Sequence, residues 1–420
     1  MAIPLKYIYI KILHGSPHLA ATFLVYLVQI IWFAKAWRLS GSVRRPLLRI
    51  LLRSLWVAAA LILIASGIDS LSSNIFPHQG WPDWVLTASR VWLFASFLGL
   101  LAMVMVRITA KLAVYALPAT RRNRFDQSRR NFLRYGVSLA GSSPFLAAAY
   151  GYSARLEYRI IRAQVPVAHL PEKLDGLKIA QLSDIHRGAF MQRDEVRRAV
   201  EMANQLHPDL IVVTGDFISW KNDPLEDCIL ELSRLRAPLG VWGCNGNHEI
   251  YAGTEHLSQV LFHRYGMRLL RQQNAELQWH GAKINLIGVD YQRQTTPKQQ
   301  MLASLESLIQ KDMPNILLSH NPNSFYRAAE LGIELSLAGH THGGQIQIAG
   351  DDLNPARLYT EFVEGAYHLA LGGDAQKYKA VQPGPQTATL YVNRGLGTIW
   401  IPVRLGVPPE ITLLTLRRAV

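Results

Sequence analysis

Long apolar stretches with few charged residues occupy the first 155 residues of the chain. A helix needs about 20 residues to cross the hydrocarbon core of a bilayer, and three of these stretches are long enough. A fourth is only moderately apolar, because it contains glycine, serine and Pro144. The pattern predicts a transmembrane region over residues 1–155, with about four helices at 12–34, 50–70, 84–106 and 135–154. Buried helices of a soluble protein are the alternative, and these lengths fit it poorly.

Shorter apolar stretches alternate with amphipathic ones from residue 175 onward. Apolar runs at 177–182, 209–214 and 240–244 are separated by segments with helical spacing at 193–206 and 224–235. Such alternation is typical of parallel βαβ units. Further strands are predicted at 283–289, 315–319, 334–338, 388–394 and 410–417. We therefore expect an α/β domain over residues 175–420 with two sheets packed face to face, preceded by a linker and edge strand at 156–174.

The charges between the predicted membrane helices indicate their orientation. Residues 35–53 contain six Lys or Arg and residues 107–134 contain eight, whereas residues 69–89 contain none. By the positive-inside rule the two basic loops face the cytoplasm. Four spans then place the α/β domain outside, which predicts a multi-pass protein of the inner membrane with a periplasmic domain.

A pair of arginines precedes the fourth predicted span, in the sequence Ser128-Arg129-Arg130-Asn131-Phe132-Leu133-Arg134. The segment is similar to a twin-arginine signal, which exports folded domains through a membrane. A position after three spans is unusual for such a signal. The alternative is that the arginines only mark the cytoplasmic end of a helix, and the sequence leaves both interpretations open.

The net charge of +14 comes from the N-terminal part of the chain. Residues 1–150 contain 17 Lys and Arg against 3 Asp and Glu, whereas residues 151–420 contain 27 of each. The α/β domain thus lacks the basic surface expected of a nucleic-acid binder, and no nucleic-acid partner is expected. Two cysteines are too few for a disulfide framework or a thiolate metal site. We expect Cys228 and Cys244 to be unpaired in the core, with a disulfide as the alternative outside the cytoplasm.

Five short polar motifs lie in the predicted α/β domain, most of them directly after a predicted strand. They are Asp184-Ile185-His186, Gly215-Asp216, Gly246-Asn247-His248-Glu249, Ser319-His320-Asn321 and Gly339-His340-Thr341-His342. Ligand sites of parallel sheets gather at the carboxyl ends of the strands, so these motifs are expected to lie together. A lone His-x-His motif is usually structural or exposed, but five motifs in this arrangement indicate one common site.

The side chains of these motifs are ligands that divalent cations prefer, namely carboxylates, amide oxygens and imidazoles. Alternate residues of an extended chain point the same way, so Asp184 and His186 can reach one ion. Asp216 has two oxygens and can bridge two ions roughly 3.5–4 Å apart, which together lower the pKa of a bound water to about 7. The remaining donors are Asn247, His320, His340 and His342.

Three residues beside these ligands are candidates for contact with a substrate. His248 can either protonate a leaving oxygen or stabilise the transition state. Arg187 and Arg394 can contact a phosphate, although surface arginines in solvent are an almost equally good interpretation.

The five motifs resemble the pattern of the calcineurin-like metallophosphoesterases, which is Asp-x-His, Gly-Asp, Gly-Asn-His-[Asp/Glu], His and Gly-His-x-His. The resemblance covers about residues 175–418. The stretches LSDIHRG, GNHE, LLSHNP, LAGHTHGGQ and YVNRGLGT are similar to a membrane-associated branch of bacterial phosphohydrolases. Some members of that branch carry twin-arginine signals, and some act on lipid-linked phosphoesters.

The resemblance implies a four-layer α/β/β/α sandwich with two divalent metal ions, Mn, Fe or Zn. One ion would be held by Asp184, His186, Asp216 and His342. The second would be held by Asp216, Asn247, His320 and His340, with His248 as the acid. The chain departs from the family in a longer Gly-rich stretch at 371–387. A loop and a lid are the two interpretations of this stretch.

These observations predict a membrane-anchored binuclear phosphoesterase that hydrolyses a phosphoester or pyrophosphate bond, with a lipid-linked compound as candidate substrate. A non-catalytic membrane protein that retains the sandwich as a binding module is one alternative, but Asp216 and His248 are both present. A nuclease is another, and the balanced charge of residues 151–420 argues against it. No feature of the sequence indicates an oligomeric state.

Overall fold

The computed structural model describes residues 17–72, 81–115, 127–292, 301–347, 354–358, 360–372 and 380–419. Residue contacts divide the chain into two compact units, one with the N-terminal helices and the other with residues 153–420. Two predictions fall partly outside the described residues. These are the start of the first membrane span, residues 12–16, and the Gly-rich stretch, of which residues 373–379 are not described.

Four long helices precede residue 155, namely α1 (Pro17–Gly41), α2 (Pro46–Ser72), α3 (Asp83–Tyr115) and α4 (Gln127–Ala154). Within the described residues, two stretches are long and apolar enough to span a membrane, Pro46–Ala65 and Asp83–Ala113. α4 contains Pro144 and has a more polar composition. The side chains of Arg129 and Arg130, on which the export-signal interpretation depends, lie outside the described part of the structure.

Hydrogen bonds between polar side chains join α1 to α3. Gln29 Nε2 donates to Ser96 Oγ at 2.8 Å, and Trp92 Nε1 donates to Gln29 Oε1 at 2.9 Å. Trp32 Nε1 donates to the carbonyl oxygen of Ser96 at 2.9 Å. Hydrogen bonds of this kind between apolar helices fix how the helices pack, which suits a small helical bundle.

Two six-stranded mixed sheets form the second unit. The first contains β1 (Arg159–Val167), β2 (Lys178–Leu182), β3 (Leu210–Thr214), β4 (Val241–Cys244), β5 (Arg268–Leu269) and β12 (Glu410–Arg418). The second contains β6 (Gln273–Trp279), β7 (Ala282–Gly288), β8 (Asn315–Leu318), β9 (Leu335–Ala338), β10 (Gly365–Ala370) and β11 (Thr387–Val392). Their orders are β1-β12-β2-β3-β4-β5 and β10-β11-β9-β8-β7-β6.

Side chains that alternate along the strands separate the layers. In β3, Leu210 and Val212 pack between the two sheets, whereas Ile211 and Val213 pack against helices on the outer face. Both faces of β3 are therefore buried, which explains its continuous apolar sequence. The helices of the unit are α5 (Arg193–Asn204), α6 (Leu225–Leu232), α7 (Asn247–Ala252), α8 (Glu255–Arg264) and α9 (Phe325–Glu330). An apolar cluster of the second sheet includes Phe325 of α9, so the predicted α/β fold with two sheets is confirmed.

Several elements of the second unit are not among those predicted. β6 and β10 are the outer strands of the second sheet, and β5 has only two residues. Outer strands have fewer buried side chains, so their sequences lack a long apolar run. The buried thiols of Cys228 and Cys244 are free, as expected.

Candidate metal centre

The ends of two neighbouring parallel strands bring the first two motifs together. β2 pairs with β3, and the pairing continues beyond both strands. Asp184 N donates to Gly215 O at 3.0 Å, and His186 N donates to Asp216 O at 3.0 Å. The two carboxylates and the first imidazole therefore lie at one edge of the sheet, as expected for residues that follow parallel strands.

Five of the seven predicted ligands have a backbone φ in the left-handed region, which residues other than glycine rarely adopt. They are Asp184 (49°), His186 (50°), Asp216 (54°), His340 (76°) and His342 (53°). Each such residue costs about 1–3 kcal/mol and persists only where its surroundings hold it. This strain is typical of functional sites, and here it coincides with the residues that the motifs contain.

Four buried side chains form a first group of candidate ligands. His186 Nε2 lies 3.0 Å from His342 Nε2, which in turn lies 3.3 Å from Asp184 Oδ1. Asp216 Oδ2 lies 3.5 Å from His186 Nε2. Ser219 Oγ contacts His186 Nδ1 at 3.1 Å, so Nε2 is the nitrogen of this ring that faces the group.

A second group shares Asp216 with the first. His320 Nε2 lies 3.1 Å from Asp216 Oδ2, and the ligand atoms of Asp216, His320 and His340 all lie within 4.8 Å of one another. His320 Nδ1 donates to Thr214 O at 2.6 Å, which fixes the tautomer and leaves Nε2 for the group. Asn247 begins α7, and its side chain is buried. Asp216 Oδ2 is thus close to imidazoles of both groups.

The backbone fixes the other oxygen of Asp216. Asp216 Oδ1 accepts a hydrogen bond from His248 N at 2.9 Å. Gly246 permits this contact, because a Cβ atom at that position would collide with Asp216 Oδ1. A Cβ atom on Gly339 would likewise collide with Asp184 Oδ2. The glycines of two motifs are therefore required by the close approach of a carboxylate.

Burial and charge set the protonation of the site. Burial raises the pKa of Asp184 to about 6, and it lowers the pKa of His186 and of His340 to about 3. Burial also opposes the charged forms of Asp216 and His320, but their attraction to each other dominates. This attraction holds the pKa of Asp216 well below its usual value and raises the pKa of His320 to about 10. The carboxylates therefore favour a positively charged group at this site. His186 and His340 are neutral, and an imidazole must be neutral to bind a metal ion.

The donor set fits divalent cations. Asn247 Oδ1 is buried and has no hydrogen-bond partner among the described residues. A buried polar atom without a partner costs about 1–3 kcal/mol, so a ligand for such an atom is expected. Carboxylates, an amide oxygen and imidazoles together suit Mn, Fe or Zn, and the groups of described residues that could hold an ion contain no cysteine.

His248 lies against the first group, with its ring centroid 4.8 Å from that of His186. His248 Nδ1 contacts Ser219 O at 2.5 Å. A carbonyl oxygen only accepts, so Nδ1 is the donor and Nε2 is the nitrogen that can exchange a proton with a substrate. The ligand atoms of His186, Asp216 and His248 also lie within 4.8 Å of one another, so the geometry is compatible with a ligand role as well.

Arg187 and Arg394, the two candidate phosphate contacts, are each paired with carboxylates. Arg187 Nη2 lies 3.1 Å from Asp227 Oδ2. Arg394 Nε lies 2.5 Å from Glu410 Oε2 and 3.7 Å from Glu364 Oε2. A guanidinium has five donors, so a pair with a carboxylate does not exclude contact with a phosphate, and both roles stay predictions.

Glu249 joins the second motif to the third, a role that its place in the sequence GNHE does not reveal. Its Oε2 accepts hydrogen bonds from Asp216 N at 2.9 Å and from Gly246 N at 2.8 Å. Its Oε1 accepts one from Phe217 N at 2.8 Å. The carboxylate thus fixes the backbone on both sides of the shared ligand.

Arg404 is buried beneath the loop that packs on Asp184, and the sequence gives no sign of this supporting role. Its guanidinium donates to the carbonyl oxygens of Arg394, Gly395 and Gly397 at 2.9, 3.0 and 2.6 Å. Gly397 N donates to Asp184 O at 2.8 Å. Burial lowers the pKa of Arg404 to about 10, so it remains charged at neutral pH. These charge-assisted bonds hold the loop that supports the first ligand.

Comparison with known proteins finds similarity over the same region. The family described as "Calcineurin-like phosphoesterase" matches residues 177–344. An uncharacterised metallophosphoesterase of Bacillus subtilis, YkuE, is 31% identical over 308 residues, which cover 69% of this chain and 98% of the relative.

A bovine protein is similar over a smaller share of its length. It is named "Transmembrane protein with metallophosphoesterase domain" and is 33% identical over 276 residues, or 62% of this chain. The chain spans 57% of the length of this relative and 60% of the length of its zebrafish counterpart. Among solved structures, the NAD nucleotidase of Haemophilus influenzae has a TM-score of 0.34 at 15% identity, covering 52% of this chain and 45% of the other.

Proposed function

Because the chain belongs to the calcineurin-like phosphoesterase family, we propose that it is a metal-dependent hydrolase of phosphoester or pyrophosphate bonds. The observation that carries the proposal is the position of Asp216. One oxygen of this buried carboxylate lies 3.5 Å from His186 Nε2 and 3.1 Å from His320 Nε2, and it therefore joins two groups of ligands. Such a shared carboxylate is the central feature of a two-metal hydrolytic site.

We propose which residues would hold each cation. The first set is Asp184, His186, Asp216 and His342. The second set is Asp216, Asn247, His320 and His340. When bound, the two cations supply Lewis acidity and neutralise charge on the phosphoryl oxygens.

The chain's own residues orient the reaction. Hydrolysis joins a water oxygen to phosphorus, breaks the bond to the leaving oxygen, transfers a proton to that oxygen, and releases one proton of the attacking water to the solvent. His248 is the proposed source of the proton, because Ser219 O engages Nδ1 and leaves Nε2 to carry it. Asp216 Oδ1 fixes the backbone of His248 at 2.9 Å, so acid and shared ligand keep a constant separation. An acid so held protonates the leaving oxygen as the bond breaks.

Activity measurement on the full-length protein tests the proposal. We expect hydrolysis of 4-nitrophenyl phosphate, bis(4-nitrophenyl) phosphate or a nucleoside diphosphate in the presence of Mn²⁺, Fe²⁺ or Zn²⁺. Chelation should abolish the activity, and return of the same metal should restore it. If metal analysis shows bound cations and none of these compounds is hydrolysed, the proposal is wrong.

Membrane attachment is the second part of the proposed function. Two helices can span a bilayer, and two relatives are named transmembrane proteins. The basic loops at 35–53 and 107–134 support a multi-pass topology with a periplasmic hydrolase domain, and a lipid-linked phosphoester suits a site tethered near a bilayer. Fusion of alkaline phosphatase and of a fluorescent protein after residue 160 should give phosphatase activity and little fluorescence. The reverse result would contradict the topology.

A further inference from the structure

Two aromatic side chains lie beside the proposed acid and a third packs on one of them, and we call the three the aromatic wall: Trp220, Tyr251 and Trp400. The ring centroid of His248 lies 6.0 Å from that of Trp220 and 5.8 Å from that of Tyr251. Trp400 packs edge-on against Trp220 with a centroid distance of 5.9 Å. Tyr251 and Trp400 are 64% and 55% exposed. A large apolar surface that faces solvent directly beside a catalytic group is typical of a binding surface.

Trp400 is held in a strained turn. Its φ is 66°, which is a clear outlier for a bulky residue. Ile401 N donates to Ile399 O at 2.7 Å, so Trp400 is the central residue of a tight three-residue turn. A turn of this kind raises the free energy of the folded state, while 55% of Trp400 remains exposed to solvent. Backbone strain of this kind is typical of functional sites.

Gln345 holds this turn and connects it to the metal centre. Gln345 Oε1 accepts a hydrogen bond from Ile399 N at 2.6 Å, and Nε2 donates to the carbonyl oxygens of Ile399 and Ile401 at 3.2 and 3.4 Å. Gln345 N donates to His342 O at 3.0 Å. The chain that carries His342 thus also fixes the position of the Trp400 turn.

Trp220 is fixed by the loop that orients the acid. The backbone N–H groups of Ser219 and Trp220 donate to Asp223 Oδ2 at 3.0 and 2.8 Å. Ser219 O is the acceptor for His248 Nδ1. One loop therefore sets the direction of the acid and the position of the ring beside it. Both tryptophans are preorganised, which reduces the entropy lost when a ligand binds.

We propose that the aromatic wall binds an apolar leaving group, so that the substrate is a phosphoester of a hydrophobic or aromatic alcohol. This inference rests on the proposed function, because it assumes that His248 faces the leaving oxygen. A group attached to that oxygen extends from Nε2 towards the surrounding rings. The rings of Trp220 and Trp400 offer a large apolar contact that a methyl or a charged leaving group cannot use.

Phosphoesters of different alcohols test whether the aromatic wall binds the leaving group. The full-length enzyme is given methyl, hexyl and benzyl esters of the same phosphoryl group, whose alcohols have similar acidity. In Trp400→Ala, the ratio of kcat/KM for the benzyl ester to that for the methyl ester should fall about tenfold relative to the unmodified enzyme. Trp400→Phe should restore most of the ratio, because it retains a ring. Leu257→Ala, which removes an exposed apolar side chain of α8, is the matched control and should leave all ratios unchanged.

The outcomes separate the inference from the function on which it rests. If Trp400→Ala lowers kcat/KM relative to the methyl ester for both the hexyl and the benzyl ester, the aromatic wall binds aliphatic chains, such as those of a membrane lipid. If Trp400→Ala lowers this ratio for the benzyl ester alone, the aromatic wall binds the aromatic rings of soluble substrates. If all three esters are hydrolysed and Trp400→Ala keeps the ratios, the aromatic wall does not bind the leaving group and the inference is wrong. If no ester is hydrolysed with any metal, the phosphoesterase proposal itself fails.

Discussion

Replacing Asp216 with asparagine is expected to lower kcat/KM by at least about 10³-fold and to reduce the metal bound per chain. Asp216 Oδ2 lies near the imidazoles of His186 and His320, so both ligand groups lose their shared negative charge. An amide keeps the size of the carboxylate but has one oxygen and a donor group. The NH₂ group would face the imidazoles and cations if it took the place of Oδ2, or the backbone N–H of His248 if it took the place of Oδ1, and both places require an acceptor. Metal analysis of the purified variant provides a measurement that does not depend on turnover.

Asp194→Asn is the matched control, because Asp194 is 86% exposed on α5 and the same chemical change is made away from the site. Its activity and metal content should equal those of the unmodified protein. Full metal content in Asp216→Asn together with full activity would show that Asp216 does not join two ligand groups, and the two-metal proposal would then be wrong.

The ligands of the site are more predictable from the sequence than the residues that support them. Asp184 and Asp216 directly follow short apolar strands, and parallel strands bring such residues together at one edge of a sheet. Their place in the structure follows from local pattern and general topology alone.

The supporting residues depend on contacts between distant parts of the chain. Arg404 binds carbonyl oxygens of the loop at 394–397, and Gln345 binds the turn at 399–401. Gln345 ends the stretch LAGHTHGGQ, but the resemblance does not reveal what its side chain contacts, and an arginine is most often exposed. Their roles arise from the way the loops cross in the folded state, which hydrophobic periodicity does not encode.

The outer strands of the second sheet are a part of the fold that the sequence pattern does not predict. β3 is buried on both faces and therefore has a continuous apolar sequence, which makes its prediction straightforward. β6 has the sequence Gln-Asn-Ala-Glu-Leu-Gln-Trp and lies at the edge of the second sheet. Only Leu277 of this strand is buried in the core, with Ala275 and Trp279 packed partly against it, so the composition of β6 is close to that of a loop.

Replacing His248 with alanine is expected to lower kcat by about 10²–10⁴-fold while the bound metal remains. The ring is fixed by the contact of Nδ1 with Ser219 O, and the backbone N–H of residue 248 still supports Asp216 in the variant. The loss should be larger for leaving groups of high pKa, such as alkyl alcohols, than for 4-nitrophenol. A good leaving group departs without a proton, whereas an alkoxide requires one.

The comparison of leaving groups distinguishes an acid from a metal ligand. If His248 were a ligand, as its distance to His186 and Asp216 permits, the variant would lose metal and all substrates would be affected alike. His263→Ala provides the control, because His263 is an exposed histidine near the end of α8 and lies outside both ligand groups. An equal loss for 4-nitrophenyl and alkyl esters, with full metal content, would instead show that His248 stabilises charge in the transition state without transferring a proton. The leaving-group dependence of the variant therefore decides between the two roles that the sequence left open.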